Sequence, residues 1–202
     1  MWGNELGVKI GLALINFYAL IFMLHTYYYR DQLESKRLIT RFIVPEDIIP
    51  WRTFFNDPEA IELFPTFGLT SLEDRVQHWI DRQLARYQEK RYGLQMLIHK
   101  ETGALIGQCG LMLQEVDGIP ELEVGYHIIK KYWGQGYAPE AARLFLDFAI
   151  EHDLADSVIS IIDIRNTKSM RVAEKNGLYR DKQTRWLDLD VFVYRIQTPL
   201  IP

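Results

Sequence analysis

Between positions 133 and 138 the chain reads Trp133, Gly134, Gln135, Gly136, Tyr137, Ala138, and Pro139 follows. Two glycines and an alanine let the main chain approach a ligand closely. A helix beginning at Ala138 or Pro139 would present unpaired N–H groups and the positive end of its dipole. Such a turn suits a pyrophosphate. It is not a Walker loop, since no Gly-Lys-Ser/Thr follows, and it lacks the spacing of a G-x-G-x-x-G dinucleotide fingerprint. Glycines in a strand-to-helix turn are more often only turn-formers, so the loop alone leaves both readings open.

The other residues with chemistry to offer are few. Glu121 and Glu123 alternate onto one face of a strand on which Leu122, Val124 and Tyr126 take the opposite face. Either glutamate is a candidate base or a salt-bridged surface residue, and the salt bridge is the favoured reading for Glu121. Asn166 and Ser169 stand at a helix start, where capping is the ordinary use of such side chains. Tyr179 and Tyr194 read first as half-buried sheet aromatics and only second as acids. His127 reads as a sheet residue, and His78 faces away from the apolar stripe of its helix. Cys109, the single cysteine, falls on a buried strand without an evident histidine partner, which argues against a covalent intermediate.

The elements that must position these groups follow from periodicity. Strands are expected at 37–44, 94–99, 104–113, 121–129, 158–164 and 189–196, with a further one near Tyr179. A helix starts at Pro45 with Glu46 and Asp47 in its first turn and ends near 56–58. Another follows the N-cap Ser71 to about Gln88, carrying Leu72, Val76, Trp79, Ile80, Leu84 and Tyr87 on one face. Helices at 139–151 and 169–176 complete the order, the last stopped by Gly177. Lys100 to Gly103 and Asp117-Gly118 are hairpin signals, and Gly125 marks a bulge. The expected class is α/β (α+β), a mixed, mostly antiparallel sheet flanked by helices.

With 202 residues, 48 % hydrophobic and 25 % charged, one globular domain accounts for the chain, with or without an appendage. A net charge of −4 leaves no electrostatic footprint for nucleic acid. One cysteine and no Cys/His cluster at ligand spacing point to a reducing compartment and no metal. Positions 1–32 differ from the rest. Residues 10–24 are apolar except for Asn16 and run into Tyr27, Tyr28 and Tyr29. The run is too short to be a clean membrane span, and no small-x-small cleavage site follows it. As an apolar N-terminal segment it docks on the domain as a helix, is an upstream extension that the native start site would omit, or spans or touches a membrane through residues 10–29. In the last case Arg30, Lys36, Arg37 and Arg41 keep the domain, residues 33–202, in the cytoplasm.

Three segments in order carry a resemblance: Glu123-Val-Gly-Tyr126, then Tyr132 to Ala141, then Asn166 to Leu178. Together they resemble the motif set of GNAT N-acetyltransferases, the RimJ/RimL-like subgroup in particular, and the likeness extends over residues 33–196. The resemblance implies the GNAT fold and acetyl-CoA as cosubstrate. Its pyrophosphate would lie on Trp133, Gly134, Gln135, Gly136, Tyr137 and Ala138, and its pantetheine would add strand-like beside Ile128, Ile129 and Lys130. Trp133 stands where the general pattern has Gln or Arg, although tryptophan is usual in the subgroup. Asn166 would lie near the pantetheine arm and Ser169 near the sulfur, able to protonate the leaving thiolate. Glu123 would serve as the general base that frees the amine. The implied reaction is direct acetyl transfer to a primary amine in a ternary complex, the acceptor being a protein N-terminus or a small molecule such as a polyamine or antibiotic. A GNAT-fold module that binds acyl-CoA without turnover is the alternative. Monomer and homodimer both fit.

Overall fold

The alternating runs fold into seven strands: β1 Leu38–Arg41, β2 Leu94–His99, β3 Leu105–Val116, β4 Ile119–Ile128, β5 Ser157–Asp163, β6 Tyr179–Trp186 and β7 Leu189–Gln197. The computed structural model describes residues 28–64 and 67–198. One sheet takes the order β1-β2-β3-β4-β5-β7-β6. Every neighbouring pair is antiparallel except β4 and β5. The hairpin between β3 and β4 turns on Asp117 and Gly118, both at positive φ (53° and 76°). That is the backbone a two-residue type I′ turn demands and the reason for glycine there.

Five helices cover the sheet: α1 Ile48–Phe55, α2 Pro58–Ile61, α3 Leu72–Gln88, α4 Tyr137–Glu151 and α5 Thr167–Lys175. Trp51, Phe54 and Phe55 of α1 and Val76, Trp79 and Ile80 of α3 pack with Leu94, Met96 and Met112 on one face. Phe145, Leu146 and Ala149 of α4 and Met170 and Ala173 of α5 pack with Leu97, Leu111, Val124 and Val158 on the other. The period-2 alternation therefore sends Leu111 to one layer and Met112 to the next.

Local signals set the ends of these helices. Ser71 caps α3 by accepting the Asp74 N–H at 3.0 Å, as its sequence position predicts. The helix expected from Pro45 begins instead as a 3-10 turn, Pro45–Asp47. Asp47 is buried there and holds Arg41 at 2.6 and 2.7 Å, so its charge serves that pair. The bulge expected at Gly125 is absent, because the β3–β4 register runs unbroken from Gly107↔Ile128 to Val116↔Ile119. A Cβ at Gly125 would stand 2.5 Å from Met112 Cε, the free end of a flexible side chain, so Met112 would have to turn aside to admit one.

The packed unit starts upstream of position 33. Tyr29 is buried among Phe42, Tyr92, Phe145 and Phe148. Its hydroxyl donates to Gly93 O and accepts the Leu111 N–H. Tyr28 stacks on Phe148. The rings of these two tyrosines pack beside α4. The apolar run at 10–24 and Tyr27 lie outside the described residues. Among the described residues no helix is long and apolar enough to cross a membrane.

Candidate functional site

The site begins where two parallel strands part. β4 pairs with β3 along its whole length but with β5 only at Leu122↔Val158 and Glu123↔Ile159. Beyond Glu123 the two strands diverge. Ile129 N–H donates to Ile106 O at 3.0 Å, and alternate residues of an antiparallel ladder direct their main-chain groups to the same side. Val124, Tyr126 and Ile128 therefore turn their N–H and C=O groups away from β3, into the gap. An extended ligand can hydrogen-bond there as a strand would. Of these groups, the Ile128 carbonyl accepts the Trp133 indole N–H at 2.7 Å. Ile129 and Lys130 follow the strand, Lys130 opening a 3-10 turn with its ammonium held by Glu59 at 2.9 Å and Asp57 at 3.3 Å.

The glycine turn stands at the end of this gap. Gly134 and Gly136 take φ of 74° and 81°, and Gly136 is the N-cap of α4 with no side-chain bond to the helix end. Trp133 N–H reaches Lys130 O and Glu140 N–H reaches Gly136 O. The first N–H groups of α4, those of Tyr137 and Ala138, have no partner within the helix. They form a nest at the positive end of a 15-residue helix, which is what an anionic diphosphate requires. Arg37 fixes the turn from outside. Its guanidinium lies 4.1 Å from the Tyr137 ring centroid, bonds Glu140 at 2.7 Å and donates to Gln135 O at 3.0 Å. Gln135 itself donates to Lys131 O at 2.9 Å. Tyr137 is buried and Ala138 half-buried, so the residues of this turn act through their main chain.

Glu123, Asn166 and Ser169 line one cavity of about 530 Å³ on the α1–α3 side of the parting. Glu123 is 7 % exposed. It accepts Gln114 Nε2–H at 2.8 Å and the Ile161 N–H at 3.3 Å, bridging the gap where the ladder ends. Burial raises its carboxyl above the usual range, against the bonds from Gln114 and Ile161 and the charge of Arg86. A carboxyl shifted upward suits a general base. Asn166 Oδ1 caps α5 by accepting the Ser169 N–H at 3.0 Å, and Ser169 O accepts the Tyr126 hydroxyl at 3.0 Å. These bonds fix the start of α5 against β4.

The remaining candidates lie apart. Glu121 forms a two-pronged pair with Arg195 at 2.7 and 2.9 Å. Tyr179 is exposed, whereas Tyr194 is buried with its hydroxyl between Glu174 and Arg180. Cys109 is buried, and desolvation pushes its thiol well up, so it is no thiolate. Among the described residues no group of three or more His, Cys, Asp or Glu is placed to hold a metal ion.

Several lining residues were not chosen as site residues from sequence. His127 packs edge-on against Phe54, Phe64 and Trp79, and burial lowers it to about 4, so the ring is neutral at physiological pH. Its signal was the shared face of 121, 123, 125 and 127. Gln83 and Arg86 lie four and seven positions after Trp79, polar interruptions inside the apolar stripe of α3. Gln83 accepts the Leu94 N–H at 2.9 Å. Such interruptions mark either a satisfied core contact or a site, and spacing alone does not separate the two.

Comparison with known proteins bears on this arrangement. Residues 37–179 match the family described as "Acetyltransferase (GNAT) domain". An uncharacterised Bacillus subtilis protein, YkkB, is 34 % identical over 144 residues, spanning 69 % of this chain and 80 % of its own. The crystal structure of an acetyltransferase from Agrobacterium tumefaciens superposes with a TM-score of 0.70 at 28 % identity, covering 85 % of this chain and 96 % of that one. RimL, a ribosomal-protein alpha-N acetyltransferase solved in complex with coenzyme A, gives a TM-score of 0.65 at 14 % identity over 81 % and 95 % of the two chains. At that identity the likeness is one of fold.

Proposed function

The chain belongs to the GNAT family of acetyl-CoA-dependent N-acetyltransferases, and from that premise we propose direct transfer of acetyl to a primary amine in a ternary complex, with Glu123 as the base. The single observation that carries this reading is the parting of β4 from β5 immediately after Glu123, which opens main-chain bonding groups beside a buried carboxylate. In this reading the nest at 134–138 holds the diphosphate of acetyl-CoA, and the edge of β4 at Val124, Tyr126 and Ile128 aligns its extended arm. The thioester then ends near Glu123 and Ser169.

An ammonium has no lone pair to attack with, so Glu123 removes its proton, directly or through one water. The amine nitrogen then bonds to the acetyl carbon, the carbon–sulfur bond breaks, and the sulfur leaves as thiolate. Ser169, at the first turn of α5, is the proposed proton donor to that sulfur, and its hydroxyl is restored by the second proton, which the nitrogen releases as it becomes an amide. A buried Cys109 thiol offers no competing covalent route.

The subgroup reading, RimJ/RimL-like with a protein α-amine as acceptor, is supported by the three ordered motifs and by the fold likeness to RimL. Thiol release from acetyl-CoA against a panel of peptides and small amines tests reaction and acceptor together. Release with peptide N-termini is the expected result. No release with any amine, despite calorimetric uptake of coenzyme A, would leave a binding module in its place.

A further inference from the structure

The wall of the cavity formed by α3 carries two arginines that make no ion pair with a carboxylate among the described residues. Arg82 and Arg86 are four residues apart and so share a helix face. Both line the cavity. Arg86 is 7 % exposed, and its one hydrogen bond is a long one, Nη1 to Tyr92 O at 3.4 Å. Arg82 is half-buried, lies 4.5 Å from the Phe67 ring centroid and makes no hydrogen bond to a described residue. The third arginine of this cluster, Arg91, is paired with Glu89. Desolvation lowers both wall arginines, Arg86 to about 10; repulsion from Arg91 adds to it for both and repulsion from Arg82 for Arg86, against the attraction of Glu123 and Glu89 for Arg86. Two cations held together in a partly dry pocket are costly unless an anion joins them.

The same cavity also holds carboxylates. Glu123, Glu115 and Asp163 line it. Asp163 is neutralised by Arg165 at 2.8 and 2.9 Å, and Glu123 takes its hydrogen bonds from neutral donors while the charge of Arg86 acts on it from a distance. An amine approaching Glu123 therefore enters a cavity whose lining also carries two arginines, one of them within electrostatic reach of Glu123.

We propose that Arg82 and Arg86 form an anion subsite that takes a carboxylate of the acceptor, making the substrate an amine that carries a carboxylate close to its nitrogen. This rests on the reading of the cavity as the acceptor site. The guanidinium fork matches a carboxylate in a bidentate way, and Phe64, Phe67 and Trp79 supply the apolar flanks. A free amino acid and a peptide beginning with an acidic residue present the same chemistry.

Two matched pairs of acceptors separate these sources: alanine against alaninamide, and Asp-Ala-amide against Asn-Ala-amide, each read as kcat/KM for thiol release from acetyl-CoA. We expect the carboxylate member of at least one pair to be preferred by about tenfold or more, the scale of one charge-assisted hydrogen bond. The pair that shows the preference names the source. Arg82→Gln and Arg86→Gln are each expected to bring that ratio toward one, and a ratio taken within one variant is insensitive to how much of it is folded. Equal turnover within both pairs, or a preference that survives both substitutions, overturns the subsite while leaving the transferase reading intact. Should no acceptor turn over, calorimetry of N-acetylalanine against N-acetylalaninamide on the coenzyme A-saturated protein decides. Carboxylate-dependent binding that Arg82→Gln removes keeps the subsite and discards acetyl transfer, and no such binding discards the subsite as well.

Discussion

Glu123 holds a carboxyl in a position that disfavours its charge. Because burial raises its pKa above the usual 4.5, the folded protein keeps this proton over a pH range in which the unfolded chain has released it. Between 4.5 and the raised value, stability therefore falls as pH rises. Glu123→Gln removes that loss while its amide oxygen can still accept the Ile161 N–H. The variant is expected to melt above the parent protein at neutral pH and to converge with it below about pH 4. A gap that persists unchanged into acid would show that the effect is not protonation. The same substitution is expected to lower kcat by about 10²–10⁴-fold and to abolish the acid limb of the pH–rate profile, with coenzyme A affinity in calorimetry little changed.

At the scale of elements, the turn into α4 combines two left-handed glycines with an uncapped helix start. Nothing lies within 4 Å of where a Cβ at Gly134 would stand, so Gly134→Ala meets no packing obstacle. Its φ of 74° costs a non-glycine residue about 1–2 kcal/mol, and the methyl would project from the nest. Denaturant unfolding is expected to show a loss of that size or less. Coenzyme A affinity, by calorimetry, is expected to fall by more than the tenfold that about 1.4 kcal/mol represents. Equal losses in folding and binding would contradict the assignment of this turn to the diphosphate. Arg37 extends the same logic, since a residue entering β1 clamps a turn almost 100 positions away through Glu140 and Gln135 O. That contact is invisible to local pattern.

At the scale of the whole molecule, Tyr28 and Tyr29 pack against Phe148 of α4, a contact that local pattern does not show. Tyr29→Ala is expected to cost about 3 kcal/mol, as deletion of a buried aromatic ring does, measured as the shift in the urea midpoint at constant slope. A change within experimental scatter would mean that this segment is not docked in solution. A chain begun at Tyr28 is the appropriate partner for fractionation against the full-length protein, because one begun at Leu33 also removes part of the core.

What the sequence determined by itself was local. Periods of 2 and 3.6, the Ser71 cap, the Asp117-Gly118 turn and the glycines at 134 and 136 are each written within a few residues, because backbone dihedrals and capping bonds act over that distance. From them came the mixed sheet, its strands to within a few residues, and the turn beside the site. The parting of β4 and β5, the burial of Glu123, the pairing of Glu121 with Arg195 and the turning of Arg82 and Arg86 into a cavity were decided only by tertiary structure. Each depends on residues tens of positions apart meeting in one place, and whether a charged side chain is paired, solvated or buried is a property of that meeting and not of its neighbours in the chain.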